Sequence, residues 1–339
     1  MITIDDISAE TGLGRSTAAA VLSGKAKKHR ISDKTAKIVL DAAERLGYYR
    51  NIPASQMLSG KTAVIGFMSP DLGATEYSGA MLSGIMEEAA KSGFSCAVFP
   101  YDKADIPGTI RGIIERRPSG IICRTVQTRE FETISAKLAE FGIPLLSLNI
   151  NDAENGLFVV TDDDNGIFAA VEHLYNLGHR RLCMPVNKIS ADPRVPRTAG
   201  FLKAINHFSL SESRPIPVET ATDVKTEDII PILKEGRFTA IVCDTDYIAM
   251  RVIQCAHSAG LKVPDDISVT GFADIAAAKL CSPPLTTVRQ PFREHGVAAA
   301  KILLEKIGCE APAEMSPEKT VRIVKTRLVI RDSCGPPKQ

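Results

Sequence analysis

The chain has 339 residues, enough for more than one domain, and its 44% apolar and 24% charged content is that of ordinary globular protein rather than a disordered chain. Its 41 basic and 40 acidic residues nearly cancel, yet residues 1–62 hold ten Lys or Arg against six Asp or Glu, which leaves 31 against 34 for the remainder. No apolar run approaches the length of a membrane span, and Met1–Asp6 shows no basic region before an apolar run, so a cytoplasmic protein is expected. The eight cysteines are scattered with no CxxC pair, which points to free structural thiols and to neither a zinc site nor a disulfide scaffold; no metal or cofactor is expected.

The first 50 residues read as three short helices. Thr3 is placed to cap a helix bearing Ile4, Ile7 and Ser8, and Gly12 supplies a sharp turn. Gly14 then opens a second helix, Arg15–Leu22, with Ala18, Val21 and Leu22 inward and Arg15, Ser16 and Ala19 outward. Ser32 caps a third, whose apolar stripe is Ala36, Val39, Leu40, Ala43 and Leu46, and Gly47 ends it. This is a helix-turn-helix pattern, in which the N-terminal end of the second helix, at Arg15, Ser16 and Thr17, contacts base edges. The basic run Lys25, Lys27, Lys28, His29 and Arg30 follows directly, where it can neutralise phosphates flanking a groove.

Residues 51–62 form a connector. Asn51 to Leu58 has the makings of two helical turns, with Pro53 in the first turn where its missing N–H does no harm. Ser59-Gly60-Lys61-Thr62 is no phosphate loop, because Ser55 stands where glycine is needed and a strand follows rather than precedes it. From Ala63 on, strands and helices alternate: Ala63–Met68, helix Glu76–Ser92, Phe94–Pro100, helix Ile106–Arg116, Gly120–Arg124, helix Arg129–Phe141 and Pro144–Asn149. Phe158–Thr161 crosses over, and the rhythm restarts with helix Gly166–Leu177, Arg181–Val186, helices Arg197–Phe208 and Glu227–Glu235, Thr239–Cys243, helix Tyr247–Ala259 and Ile267–Phe272. A last helix, Phe292–Lys306, and a last strand, Val321–Ile330, close the reading. Such βα alternation implies two parallel-sheet lobes with helices on both faces, so the fold class is a small all-α headpiece plus an α/β core.

Thr3-Ile4-Asp5-Asp6-Ile7-Ser8, Thr11-Gly12-Leu13, Thr17-Ala18, Val21-Leu22 and Leu46-Gly47-Tyr48 are similar to the headpiece of the lactose-repressor family of bacterial transcription regulators. Gly24–Lys27 with Arg30 and Ser32–Thr35 resembles its fructose- and sucrose-repressor branch. The resemblance extends through Glu172-His173-Leu174, Leu177–Arg181, Arg197 with Gly200-Phe201, Asp265–Phe272 and Pro283–Val288. It implies a DNA-binding domain over 1–50, a hinge helix over 51–62 with Asn51 contacting DNA and Met57 at the wedge position, a two-lobed periplasmic-binding-protein-like effector and dimerisation domain over 63–330, and a short tail over 331–339. The family has serine where Gly14 and Ala19 stand, so base preference does not carry over.

Polar residues at strand ends facing a cleft are the candidate ligand contacts: Asp71, Asn149, Arg197, Thr245, Asp246 and Asp274, with Tyr77 as a stacking surface. The resemblance favours Arg197 and Asn149, and Ala273 stands where many relatives have a ligand-holding aspartate, so either Asp274 substitutes for it or the ligand lacks the group that aspartate would bind. His173 and His179 read as structural histidines, since no third ligand lies nearby. No HExxH or nucleophile elbow is present. The expectation is a non-enzymatic repressor of a pseudo-palindromic double-stranded operator, controlled by a sugar or sugar derivative. It acts as a homodimer, with a tail too short for the extra helix of tetrameric relatives. A carbohydrate-binding or sugar-converting protein with a helical appendage would instead show turnover of sugars, and a nucleotide switch would bind nucleotide.

Overall fold

The computed structural model describes residues 2–49, 62–70, 72–73, 75–124, 127–148, 153–187, 195–218, 226–308 and 319–338. The chain divides into two compact units, Met1–Thr62 and Ala63–Gln339.

In the first unit α1 (Ile4–Thr11), α2 (Arg15–Leu22) and α3 (Asp33–Leu46) bury one stripe each. Thr3 and Asp6 form a reciprocal capping box: the Asp6 N–H donates to Thr3 Oγ1 and the Thr3 N–H to Asp6 Oδ2, which holds the Asp6 carboxyl below its usual range. Ser32 accepts from the Thr35 N–H at 3.1 Å, and Gly12 and Gly47 end their helices at φ +67°, a conformation glycine adopts without strain. Ile7, Ala18, Val21, Val39 and Ala43 make the core. Leu40, expected inside, is 52% exposed, and Ala42 is buried in its place. The spacing Val39, Ala42, Ala43, Leu46 follows the 3.6-residue turn, and Leu40 falls off that stripe.

The second unit holds two six-stranded sheets. The first has the order β11-β5-β4-β3-β1-β2, built from β1 (Val64–Met68), β2 (Ser95–Phe99), β3 (Gly120–Arg124), β4 (Leu145–Leu148), β5 (Leu157–Thr161) and β11 (Thr320–Val324). The second has the order β12-β10-β9-β8-β6-β7, from β6 (Leu182–Asn187), β7 (Arg214–Val218), β8 (Ala240–Val242), β9 (Ser268–Ala273), β10 (Thr286–Arg289) and β12 (Arg327–Val329). Every pairing is parallel except β10–β12. Central strands such as β1 and β3 are apolar along their length because helices cover both faces.

On the first sheet, Ile65, Phe67 and Ile122 pack under α4 (Glu76–Lys91) and α11 (Phe292–Gly308), and Met68 and Ile121 under α5 (Ile106–Arg116) and α6 (Thr128–Ala139). On the second, Met184 and Phe272 pack under α7 (Asp163–Asn176) and α8 (Pro196–His207), and Ile241 and Val269 under α9 (Thr226–Lys234) and α10 (Asp246–Ser258). α4 and α11 cross so closely that a Cβ on Gly84 would lie 2.1 Å from the Arg293 carbonyl oxygen, and one on Gly296 2.1 Å from that of Met81. No described helix is long and apolar enough to cross a membrane.

Three passes of the chain join the lobes: β5 into α7 at Asp162, β10 into α11 at Gln290 and Pro291, and β11 into β12 at Lys325 and Thr326. The single strand expected over Val321–Ile330 is therefore two strands in different sheets. Thr326 marks the break, its N–H donating to Asp162 Oδ1 at 2.5 Å and so tying one crossing to another. β7 was hidden by Pro215 and Pro217, which an edge strand tolerates. After β12 the chain stays anchored: Ser333, fully buried, donates to the Val269 carbonyl and accepts from the Thr286 N–H. The buried His179 ring reaches the Gly335 carbonyl, Ser268 and Thr239.

Candidate functional site

Two surfaces gather the residues singled out from sequence. The first is on the headpiece. Arg15 and Ser16 are exposed at the N-terminal end of α2 and Thr17 is half-buried there. The cap of this helix is Gly14, which contributes no side-chain acceptor; the Thr17 N–H donates to the Gly14 carbonyl at 2.9 Å. Arg15 Nε lies 3.3 Å from Asp5 Oδ1, with side chains 71% and 62% exposed, an ion pair worth at most about 1 kcal/mol. Lys25, Lys28, His29 and Arg30 are all exposed in a run of turns held by bonds such as Ile31 N–H to Ala26 carbonyl. Asn51 and Met57 lie outside the described residues.

The second surface is a cleft between the two lobes of the core, a cavity of about 160 Å³ lined by Tyr77, Arg124, Arg197, Thr245, Asp246, Tyr247, Phe272, Ala273, Gln290 and Phe292. Its lining comes from the C-terminal ends of β3 and β9, the N-terminal ends of α4, α8, α10 and α11, and the crossing at Gln290. That is where open parallel sheets bind ligands. Tyr77 packs on Phe292 at 5.1 Å between ring centroids and meets Tyr247 edge-on at 6.4 Å, so an aromatic wall spans the lobes. Glu76 adds a polar tie across the same gap, accepting from the Ala276 N–H at 2.7 Å.

Arg197 is the best-anchored polar group of the cleft. Its Nε donates to Asp163 Oδ2 at 2.9 Å, NH1 to the Asp244 carbonyl at 2.5 Å and NH2 to Gln290 Oε1 at 3.3 Å, and Phe272 covers one face at 4.1 Å. Gln290 Nε2 in turn donates to Thr161 and Asp163. Arg197 is thus bonded to one residue at each of two interlobe crossings, Asp163 and Gln290. Burial pushes the Asp244 and Asp246 carboxyls upward, opposed at Asp244 by the Arg197 charge and at Asp246 by the Thr287 hydroxyl.

The other expected contacts sort differently. Tyr77, Thr245 and Asp246 line the cavity, but Thr245 is engaged as the cap of α10, accepting from the Ile248 N–H. Asp246 does not cap that helix; it accepts from the Thr287 hydroxyl at 2.5 Å and the Ile275 N–H at 2.8 Å. Asp274 is not on the cavity lining: its carboxylate is clamped by Arg289 and Arg331, both at 2.5 Å, with 1% of the side chain exposed. Ala273 and Asp274 take φ +128° and +59°, Ala273 lies on the cavity lining while Asp274 does not, and the two arginines hold the Asp274 end of that strained pair in place. Asp71 and Asn149 lie outside the described residues.

Sequence reading missed Arg124, Tyr247, Phe272, Gln290 and Phe292 as lining residues. Arg124 had a signal, a charge at the C-terminal end of the buried run Gly120–Cys123. Gln290 had none, since it follows β10, too short a strand to stand out.

A model of the periplasmic binding protein-like domain matches residues 171–334. An uncharacterized HTH-type transcriptional regulator of Streptomyces limosus, encoded in the aml 5' region, is 30% identical over 97% of this chain and 93% of its own length. The chain belongs to the LacI family of helix-turn-helix transcriptional regulators. The fold agrees along the whole length. A lac repressor dimer bound to operator and the anti-inducer ONPF is 23% identical, with a TM-score of 0.80 and 98% of both chains covered. A CelR–cellobiose complex is 20% identical, with a TM-score of 0.69, 98% of this chain and all of that one covered.

Proposed function

We propose that this LacI-family regulator reads a pseudo-palindromic operator as a homodimer, and that a small sugar or sugar derivative in the cleft sets its DNA affinity by binding alone, without turnover. Arg15 and Ser16 read base edges, and Lys25, Lys28, His29 and Arg30 hold phosphates. Exposed Met86 on α4 and Val98 on the edge strand β2 supply apolar surface for a second copy, whose headpiece provides the second half-site.

One observation carries the link between the two sites: Arg197, which faces the cleft, is bonded to Asp163 and Gln290 in the interlobe crossings. A ligand that recruits Arg197 redistributes those bonds, and a differential contact with two lobe arrangements is what a ligand needs in order to shift their balance. The cellobiose of the CelR complex supports a saccharide ligand.

The test selects duplexes from a random pool with the full chain and then titrates the selected duplex with and without metabolites found by thermal shift. A two-fold-symmetric footprint, with affinity altered by a metabolite in the parent and not in Arg197→Ala, is the expected result. Consumption of that metabolite at stoichiometric protein would overturn the binding-only reading.

A further inference from the structure

Thr161, Asp162 and Asp163 end β5 and open α7, the first of the three passes between the lobes. An aspartate at a helix N-cap ordinarily accepts from N–H groups of its own first turn. Asp162 occupies the N-cap of α7 and makes no such bond. Its carboxylate serves the third pass instead: Oδ1 accepts from the Thr326 N–H at 2.5 Å, and Oδ2 lies 3.2 Å from Lys325 Nζ. The backbone repeats the link, with the Asp162 N–H donating to the Val324 carbonyl at 3.2 Å and the Thr326 hydroxyl to the Asp162 carbonyl at 3.3 Å.

The residues on either side of Asp162 hold the second pass. Gln290 Nε2 donates to Thr161 Oγ1 at 2.9 Å and to Asp163 Oδ1 at 3.0 Å, and the Thr161 hydroxyl donates to that same Asp163 oxygen. The other Asp163 oxygen accepts from Arg197 Nε. Further along the second pass, His295 Nε2 donates to the Val159 carbonyl at 2.8 Å. Asp162 and Gln290 are both buried, so a bond lost at either leaves a polar group without water to replace its partner. Lys325 is 79% exposed, and its ion pair adds little to the amide bond beside it.

We infer that residues 161–163 latch the three passes into one hinge, so that the lobes rearrange by breaking these bonds together, and that Asp162 is the positioning residue of the latch. It fixes the turn on which Thr161 and Asp163 meet Gln290 and Arg197. Asp162 itself lies off the cavity lining and acts on the cleft only through those neighbours. A hinge tied in this way has discrete arrangements and does not deform continuously, which is what a two-state regulator needs.

The latch is tested on the full chain alone, so its failure would leave the sugar reading untouched. Hydrogen exchange read by mass spectrometry follows peptides over 158–166, 288–295 and 320–328, with β3 and β9 as references. Asp162→Ala is expected to raise exchange ~10-fold or more in all three, including 288–295, to which the Asp162 carboxylate is not bonded, while β3 and β9 keep their protection. Asp162→Asn keeps an acceptor for the Thr326 N–H and should return most of the protection, and Lys325→Ala should stay within ~2-fold of the parent. Gln290→Ala cuts the latch from the other side and should raise exchange in 320–328. A rise confined to 320–328 in Asp162→Ala and to 288–295 in Gln290→Ala would make each tie local and overturn the latch. Equal loss of protection in β3 and β9 would show a general loss of stability and overturn it as well. Exchange in Asp162→Asn as fast as in Asp162→Ala would remove the Thr326 bond from the positioning role.

Discussion

In the headpiece Arg15, Lys25, Lys28, His29 and Arg30 stand exposed, and the ion pair of Arg15 with Asp5 is weak and solvent-screened. In the cleft Arg124 is buried, and Arg197, with 24% of its side chain exposed, makes three bonds and stacks on a ring. The difference follows from the partners. DNA phosphates are regularly spaced, solvated and many, so affinity comes from cations that displace the counterions condensed on the DNA and can adjust to its backbone. A small ligand offers few atoms, so discrimination needs donors whose geometry is set before it arrives. Substitutions should therefore be silent for stability and loud for binding on one surface, and both at once in the other.

Arg197→Ala is the strongest test of that contrast. It leaves Asp163, the Asp244 carbonyl and the Gln290 amide with lost partners near the crossings, and should destabilise the core by about 2–4 kcal/mol as well as abolish ligand response. A denaturant midpoint equal to the parent's would show that the anchoring bonds contribute nothing. Next, Arg15→Ala should leave the melting temperature within error yet cost about 1–3 kcal/mol on the selected operator and relax preference at one base pair per half-site. Equal losses on operator and scrambled duplex would remove α2 from the reading role.

Acidification separates the two units differently. Burial holds His173, His179 and His295 below their usual range around 6.5, His295 being fully buried with Nε2 on the Val159 carbonyl. As the pH falls through that value the unfolded chain takes up protons that the folded core refuses, so stability is complete above about pH 6.5 and declines below it. The slope is at most about 1.4 kcal/mol per pH unit for one histidine. Calorimetric scans from pH 7.5 downward should show the core transition falling, less steeply in His295→Gln; a flat profile would contradict neutral burial. The smallest effect is that of Lys28→Ala, which should weaken all duplexes alike and make the salt dependence shallower by about one unit per half-site. An unchanged slope would place Lys28 away from phosphates.

The headpiece was legible almost residue by residue, because caps, turn glycines and a 3.6-residue stripe are local signals. Thr3, Ser32, Gly12 and Gly47 act where the pattern placed them, and the exception, Leu40, is a stripe read one residue too wide. The cleft was legible in part. Arg197, which the resemblance favoured, lies on the cavity lining, whereas the candidate Asp274 is off it, and nothing local announces that Arg289 and Arg331 converge on that carboxylate.

The three headpiece helices, most of the βα alternation of the two lobes and the basic headpiece were determined by the sequence itself, since apolar periodicity, capping and charge act over a few residues. Tertiary structure alone decided which strand ends face the cleft, that residues 321–330 divide between two sheets, that Arg124 and Arg197 line one cavity, and that Ala273 and not Asp274 lies on its lining. Those outcomes depend on partners 15 to 164 positions apart, as in Arg289 with Asp274 and Thr326 with Asp162, and no local pattern records a contact at that distance.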